Sequence, residues 1–149
     1  MRNFFVAYAA AAVWMLGLDV IWLSTMAERL YRQQLGDLLA PEYRLYPALC
    51  FYALYLFGVT YFAVAPALKD GGWRKAALNG ALFGLVAYAT YDLTNQATLR
   101  RWPVLVTSLD LLWGSFLTAT TAAAGFAATR VIARLRQAPT ARDETSMRQ

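Results

Sequence analysis

Three aspartates lie inside apolar stretches of this sequence. Asp19 and Asp110 occur in two copies of one pattern, Leu-Asp-x-x-Trp-x-Ser. Asp92 lies in a third stretch, directly after Tyr91 and three residues before Asn95. A carboxylate at the depth of a lipid bilayer is costly, so such a residue is a functional candidate by default. We therefore take the three aspartates as candidate catalytic or ligand-binding residues.

Aromatic and amide side chains lie at helical spacing from these aspartates. Trp22 and Trp113 each follow an aspartate by three residues and so share its helix face. In the third stretch the same face carries a tyrosine, the aspartate and a pair of carboxamides. The candidate ligand-binding set is Asp19, Trp22, Tyr88, Tyr91, Asp92, Asn95, Gln96, Asp110 and Trp113. Aromatic faces beside carboxylates suit an organic cation, a polar headgroup on an apolar tail or a hydroxylated lipid.

The composition is that of a membrane protein. Hydrophobic residues make up 59% of the 149 residues, and the mean hydropathy is +0.37. Four stretches reach the roughly 20 residues that cross a bilayer as a helix, at about 4–26, 45–68, 76–98 and 104–129. The sequence thus predicts an all-α, integral membrane four-helix bundle over residues 1–136. The polar tail, 137–149, is predicted to be disordered and cytoplasmic.

The first apolar stretch is interpreted as a retained span rather than a signal peptide. Its apolar run continues through Leu23, beyond the length of a typical signal core. Residues 27–40 place Leu30, Tyr31, Leu35, Leu38 and Leu39 on roughly one side of a helix. This pattern predicts a short helix in the plane of the interface, which Pro41 ends.

The basic residues predict the orientation. With four spans, nine lysines and arginines would lie on the side of the termini and five on the other side. The positive-inside rule then places both termini in the cytoplasm. The net charge of +5 is explained by topology and lipid headgroups, so no nucleic-acid partner is expected.

The three aspartates are expected to share one depth. Each lies six or seven residues from the same end of the predicted bundle, which is about 10 Å along a helix. We therefore expect their carboxylates to face the interior and to approach one another closely, with Asn95 among them.

The sequence predicts neither a cofactor nor a metal site. It contains no histidine, which excludes imidazole ligation of haem and disfavours zinc. Nucleotide-binding and hydrolase fingerprints are also absent from the sequence.

The segments around the aspartates resemble a known family. They are Leu18-Asp19-x-x-Trp22-Leu23, Tyr91-Asp92-Leu93-Thr94-Asn95-x-Ala97-Thr98 and Asp110-x-x-Trp113-Gly114. The family is a widespread bacterial group of small, predicted four-span inner-membrane proteins classed as a domain of unknown function. The resemblance covers roughly residues 3–135 and implies a location in the bacterial inner membrane. It also implies a lipid-related role, since members often neighbour lipid-modifying genes, but it transfers no mechanism.

Three functions are compatible with these residues. The pocket could bind, and even translocate, a cationic or polar-headed, lipid-like small molecule, with membrane lipids as its surroundings. It could instead be an isomerase-like enzyme site in which one carboxyl group donates a proton and another accepts one. In the third alternative the chain is an accessory or assembly subunit, and the aspartates only bridge helices. A homo-oligomer is a further possible partner, because four spans are few for gated transport unless the protein dimerises.

Overall fold

The helices of this chain follow the apolar stretches of its sequence. The computed structural model describes residues 2–42 and 44–137, and these form helices and short connections without a strand. The elements are α1 (Arg2–Met26), a π-helical turn (Ala27–Tyr31), α2 (Arg32–Leu35), a 3-10 turn (Gly36–Leu38), α3 (Leu45–Gly58), a π-helical turn (Val59–Val64), α4 (Ala65–Asp70), α5 (Trp73–Thr98) and α6 (Val104–Gln137). The all-α helical bundle predicted from the sequence is confirmed. The predicted tail, 137–149, lies outside the described residues apart from Gln137, which ends α6.

Three continuous helical stretches are long and apolar enough to cross a membrane. They are Arg2–Leu38, Leu45–Asp70 and Val104–Gln137. Helix α5 has the necessary length but is less apolar, because polar side chains lie among its leucines and alanines. Its Leu78, Leu82 and Val86 are nevertheless exposed, as residues that face lipid would be. That α5 forms a fourth span stays a prediction.

The segment after α1 differs from the predicted separate helix. It continues α1 through the π-helical turn and α2, and the α-helical part ends at Leu35, before Gly36, whose φ of 49° is unfavourable for residues with a side chain. Leu30 and Leu35 are buried against Val106 of α6. Leu38, expected on the same side, is exposed. That Leu38 shares an apolar side with Leu30 and Leu35 stays a prediction.

A second π-helical turn interrupts the helix formed by α3 and α4. Pro66 lies in the first turn of α4, two residues after this interruption. Proline has no N–H to donate and its ring collides with the carbonyl one turn earlier. The wider turn before it is therefore a local response to Pro66.

Helix α6 packs against both α1 and α5. Glycines on α5 permit the second contact, because a Cβ at Gly80 would lie 2.6 Å from the backbone oxygen of Thr118. On the other side, Gly125 of α6 lies beside Ala7 and Ala11 of α1. Since residues late in α6 pack near the beginning of α1, these two helices are antiparallel. This arrangement brings the two copies of the sequence pattern together.

Candidate functional site

The two tryptophans of the repeated pattern stack on each other. The ring centroids of Trp22 and Trp113 are 4.3 Å apart, and the ring planes differ by 10°. Each tryptophan lies three residues after its aspartate, but α1 and α6 run in opposite directions. Each ring therefore projects toward the aspartate of the other copy. Accordingly, Trp113 Nε1 donates a hydrogen bond of 3.4 Å to Asp19 Oδ1.

Tyr31 connects the other tryptophan, Trp22, to the other aspartate, Asp110. Trp22 Nε1 donates to the hydroxyl of Tyr31 at 3.0 Å, and this hydroxyl donates to Asp110 Oδ1 at 2.5 Å. The π-helical turn that ends at Tyr31 is the element that carries this hydroxyl. Trp113 is therefore hydrogen-bonded directly to Asp19, whereas Trp22 is connected to Asp110 through the hydroxyl of Tyr31.

A second tyrosine fixes the other carboxylate. Tyr52 of α3 donates its hydroxyl to Asp19 Oδ2 at 2.5 Å. Asp19 and Asp110 are both buried and both bonded to a phenol. We call the six side chains joined in this way the Asp–Trp network; they are Asp19, Trp22, Tyr31, Tyr52, Asp110 and Trp113.

Asp92 is buried in a different way. Its side chain has no exposed surface, and neither carboxyl oxygen has a hydrogen-bond partner among the described residues. Asp92 and Asp110 lie on α5 and α6, which pack against each other. A buried ionised carboxylate without a partner is very costly. The Asp92 carboxyl group is therefore either uncharged or satisfied by a group that enters the site.

A cavity of about 390 Å³ adjoins the network. It is lined by Phe51, Tyr55, Ala87, Tyr88, Tyr91 and Asp110, which come from α3, α5 and α6. Phe51 is 45% exposed and Tyr91 is 60% exposed. Because these two residues lie on the outer surface of α3 and α5, the cavity opens sideways between the two helices. Its inner wall carries Asp110.

The position of Tyr88 in this wall depends on a glycine. A Cβ at Gly114 would overlap the ring of Tyr88. In the other copy of the pattern the equivalent residue is Leu23, which is exposed. The two copies therefore differ at this position because only Gly114 packs against the ring of Tyr88 from α5.

The structure brings some of the predicted site residues together and leaves others apart. Asp19, Trp22, Asp110 and Trp113 belong to the network, and Tyr88 and Tyr91 line the cavity. Among the described residues, no side-chain hydrogen bond joins the aspartates to the half-buried Asn95 or the exposed Gln96. Within those residues, no three acidic, cysteine or histidine side chains form a group that could hold a metal ion. That the nine residues share one ligand stays a prediction.

Sequence reasoning missed Tyr31 and Tyr52 as site residues. Tyr31 was assigned only to an apolar stripe, and Tyr52 was one of several tyrosines in its span. Their partners are 79 and 33 residues away along the chain. A buried carboxylate requires a donor, but the sequence contains nine tyrosines that could supply one.

Replacing Tyr31 with phenylalanine tests the network. The change leaves Asp110 without its donor and Trp22 without its acceptor, so the free energy of unfolding should fall by about 1–3 kcal/mol. Unfolding in a mild detergent measures this difference. Tyr46→Phe is the matched control because Tyr46 is 79% exposed. Equal effects of the two substitutions would contradict the network.

Comparison with known proteins places the chain in a family. A search of curated proteins and a search of solved structures give no match. A family model matches residues 4–127, which confirms the resemblance found in the sequence. The match and the three apolar helical stretches identify a membrane protein. The chain belongs to the family described as "Predicted membrane protein (DUF2177)".

Proposed function

We propose that this protein binds, within the membrane, a small lipid-like molecule with a cationic or polar head. The observation that carries the proposal is the buried carboxylate of Asp110 on the wall of an aromatic cavity that opens sideways between α3 and α5. The head would contact Asp110, and the apolar body would lie in the surrounding bilayer.

The lining of the cavity favours a positively charged head. Tyr55, Tyr88 and Tyr91 present aromatic rings, whose faces attract cations when water is excluded. Asp110 supplies a formal negative charge, and Asp92 on the neighbouring helix has two oxygens without partners among the described residues. A cationic group would reduce the cost of keeping both carboxyl groups buried.

The size and position of the cavity favour a lipid-like body. A volume of about 390 Å³ is within the range of small-molecule sites and would hold a headgroup rather than a whole lipid. The outer surfaces of α3 and α5 are apolar, with Leu54 and Leu85 exposed. Such a surface suits an acyl chain that remains in the membrane.

The test compares a long-chain quaternary amine with its uncharged isostere, in which carbon replaces nitrogen. Binding to the purified protein in a maltoside detergent is measured by native mass spectrometry and thermal shift. We expect the wild type to bind the amine at least about tenfold more tightly, which is a typical gain from a desolvated cation site. Asp110→Asn should abolish this preference while the protein remains folded.

Asp37→Asn is the matched control, because Asp37 is an exposed carboxylate outside the cavity. It should bind like the wild type. Equal affinity of the wild type for the two compounds would overturn the proposed function. An unchanged preference in Asp110→Asn would exclude Asp110 as the counter-charge.

A second candidate is an enzyme that uses the carboxyl groups as acid and base. The observation in its favour is the unlike environment of two neighbouring aspartates, since Asp110 accepts a phenol hydrogen bond and Asp92 does not. Such differences separate acid and base roles in known sites. Recovery of a chemically altered lipid after incubation with the protein, and its loss in Asp92→Asn, would favour this alternative.

We also propose a location in the bacterial inner membrane with four spans and both termini in the cytoplasm. The excess of basic residues on one side supports this orientation. A reporter fused after Arg136 and one inserted in the 69–75 loop should both give a cytoplasmic signal. Periplasmic signals at both positions would reverse the orientation without changing the site.

A further inference from the structure

A second cavity lies on the other side of Tyr31. It has a volume of about 410 Å³ and is formed by the segment between α1 and α3. Its charged lining residues are Arg32, Glu42 and Arg44. The candidate spans Arg2–Leu38 and Leu45–Asp70 meet at this cavity, so it lies at one end of the bundle, where its charged side chains would meet lipid headgroups.

Tyr31 is shared by the two cavities. It lines the outer cavity, and its hydroxyl contacts Asp110, which lines the inner one. The two spaces are therefore separated by about the length of one tyrosine side chain. A ligand that occupies both would need one group at Asp110 and another a few atoms away, beyond Tyr31.

The outer cavity has the charge opposite to that of the inner one. Its lining contains two arginines and one glutamate. Arg32 also pairs with Glu28 at 3.0 Å, but both side chains of that pair are largely exposed, and such pairs are weak. Arg44 has no ion-pair partner among residues 2–42 and 44–137. Guanidinium groups bind phosphate oxygens through paired hydrogen bonds and are well suited to this anion.

We propose that the outer cavity binds the phosphate of a phospholipid headgroup, whose ammonium group extends past Tyr31 to Asp110. The inference rests on the proposed function and makes the ligand zwitterionic. An amine-bearing phospholipid matches the order of the charges, with phosphate near Arg32 and Arg44 and the cation beside Asp110 and the tyrosines. Its acyl chains are attached on the phosphate side, so they would enter the bilayer from the outer cavity.

The experiment uses the full chain in a maltoside detergent and measures lipid affinity by native mass spectrometry. The probes are phosphatidylethanolamine and a diacyl trimethylammonium lipid with the same acyl chains but no phosphate. Arg32→Gln/Arg44→Gln should weaken phosphatidylethanolamine binding by about tenfold, as expected for the loss of charge-assisted hydrogen bonds. Binding of the cationic lipid should be unchanged or stronger.

Arg29→Gln is the matched control, because Arg29 is an exposed arginine of the same segment that does not line the cavity. Equal affinity of the double variant and this control for phosphatidylethanolamine would overturn the inference. In that case, continued binding of the cationic lipid would leave the proposed function intact. Failure of the wild type to bind the cationic lipid would instead count against the proposed function.

Inorganic phosphate distinguishes the source of the anion. If the site belongs to a lipid, millimolar phosphate should neither stabilise the wild type nor displace phosphatidylethanolamine. Stabilisation by phosphate that is lost in Arg32→Gln/Arg44→Gln, without any lipid preference, would overturn the lipid assignment and identify a free-anion site.

Discussion

Replacing Trp113 with alanine should lower the free energy of unfolding by about 3 kcal/mol, the lower end of the range for large aromatic residues in packed interiors, because the indole is only partly buried. The indole stacks on Trp22, contacts Phe116 and donates to Asp19. Its loss would open a cavity between α1 and α6 and remove one of the two donors to a buried carboxylate. The change is measured by unfolding in detergent, monitored by far-ultraviolet circular dichroism rather than by tryptophan fluorescence.

A double-mutant cycle with Trp22→Ala tests whether the stacked pair acts as a unit. We expect a coupling energy of about 0.5–3 kcal/mol, the range for residues in direct contact. Trp14→Ala is the control, because Trp14 lies on α1 but is 48% exposed. Additive effects of Trp22→Ala and Trp113→Ala, or an equal loss from Trp14→Ala, would contradict the central position of the pair.

Replacing Asp92 with leucine should increase stability while it weakens binding of the long-chain quaternary amine. The carboxyl oxygens of Asp92 have no hydrogen-bond partner in the described chain, so their removal should raise the free energy of unfolding of the ligand-free protein by about 1–3 kcal/mol. The same change removes a polar group next to Asp110, so affinity for the long-chain quaternary amine should fall. Unfolding and amine binding are measured on the same preparation.

Asp110→Leu is the comparison that separates the two aspartates. It leaves the hydroxyl of Tyr31 without its acceptor and should be destabilising. If Asp92→Leu is also destabilising and leaves amine affinity unchanged, Asp92 is a structural residue with a partner of its own. The hydrogen bonds of the two aspartates predict that Asp92→Leu is stabilising and that Asp110→Leu is destabilising.

The all-helical fold was predictable because it depends on composition and length. Apolar runs of about 20 residues form helices in a membrane regardless of their neighbours, since lipid offers no partner for the backbone. The burial of Asp19, Asp92 and Asp110 was equally predictable. A carboxylate in such a run is expensive against lipid, so each of them faces other helices.

The partners of those aspartates were decided by the tertiary structure. The spacing of Trp22 from Asp19 placed both on one face of α1, but only the antiparallel contact with α6 directs the ring toward the other copy of the pattern. Likewise, Tyr31 reaches Asp110 because the end of α1 changes to a π-helical turn. Neither the direction of a neighbouring helix nor a local change of helix type follows from regular periodicity.

The sequence by itself therefore determined which residues are too polar to face lipid, since that cost belongs to each residue and its immediate apolar surroundings. Only the tertiary structure determined that Asp19 and Asp110 are bonded to Tyr52 and Tyr31 while Asp92 has no partner in the described chain. These pairings depend on the rotation, tilt and bending of whole helices against one another. Small changes in those quantities move a side chain from one partner to another without altering the apolar pattern that makes the helix.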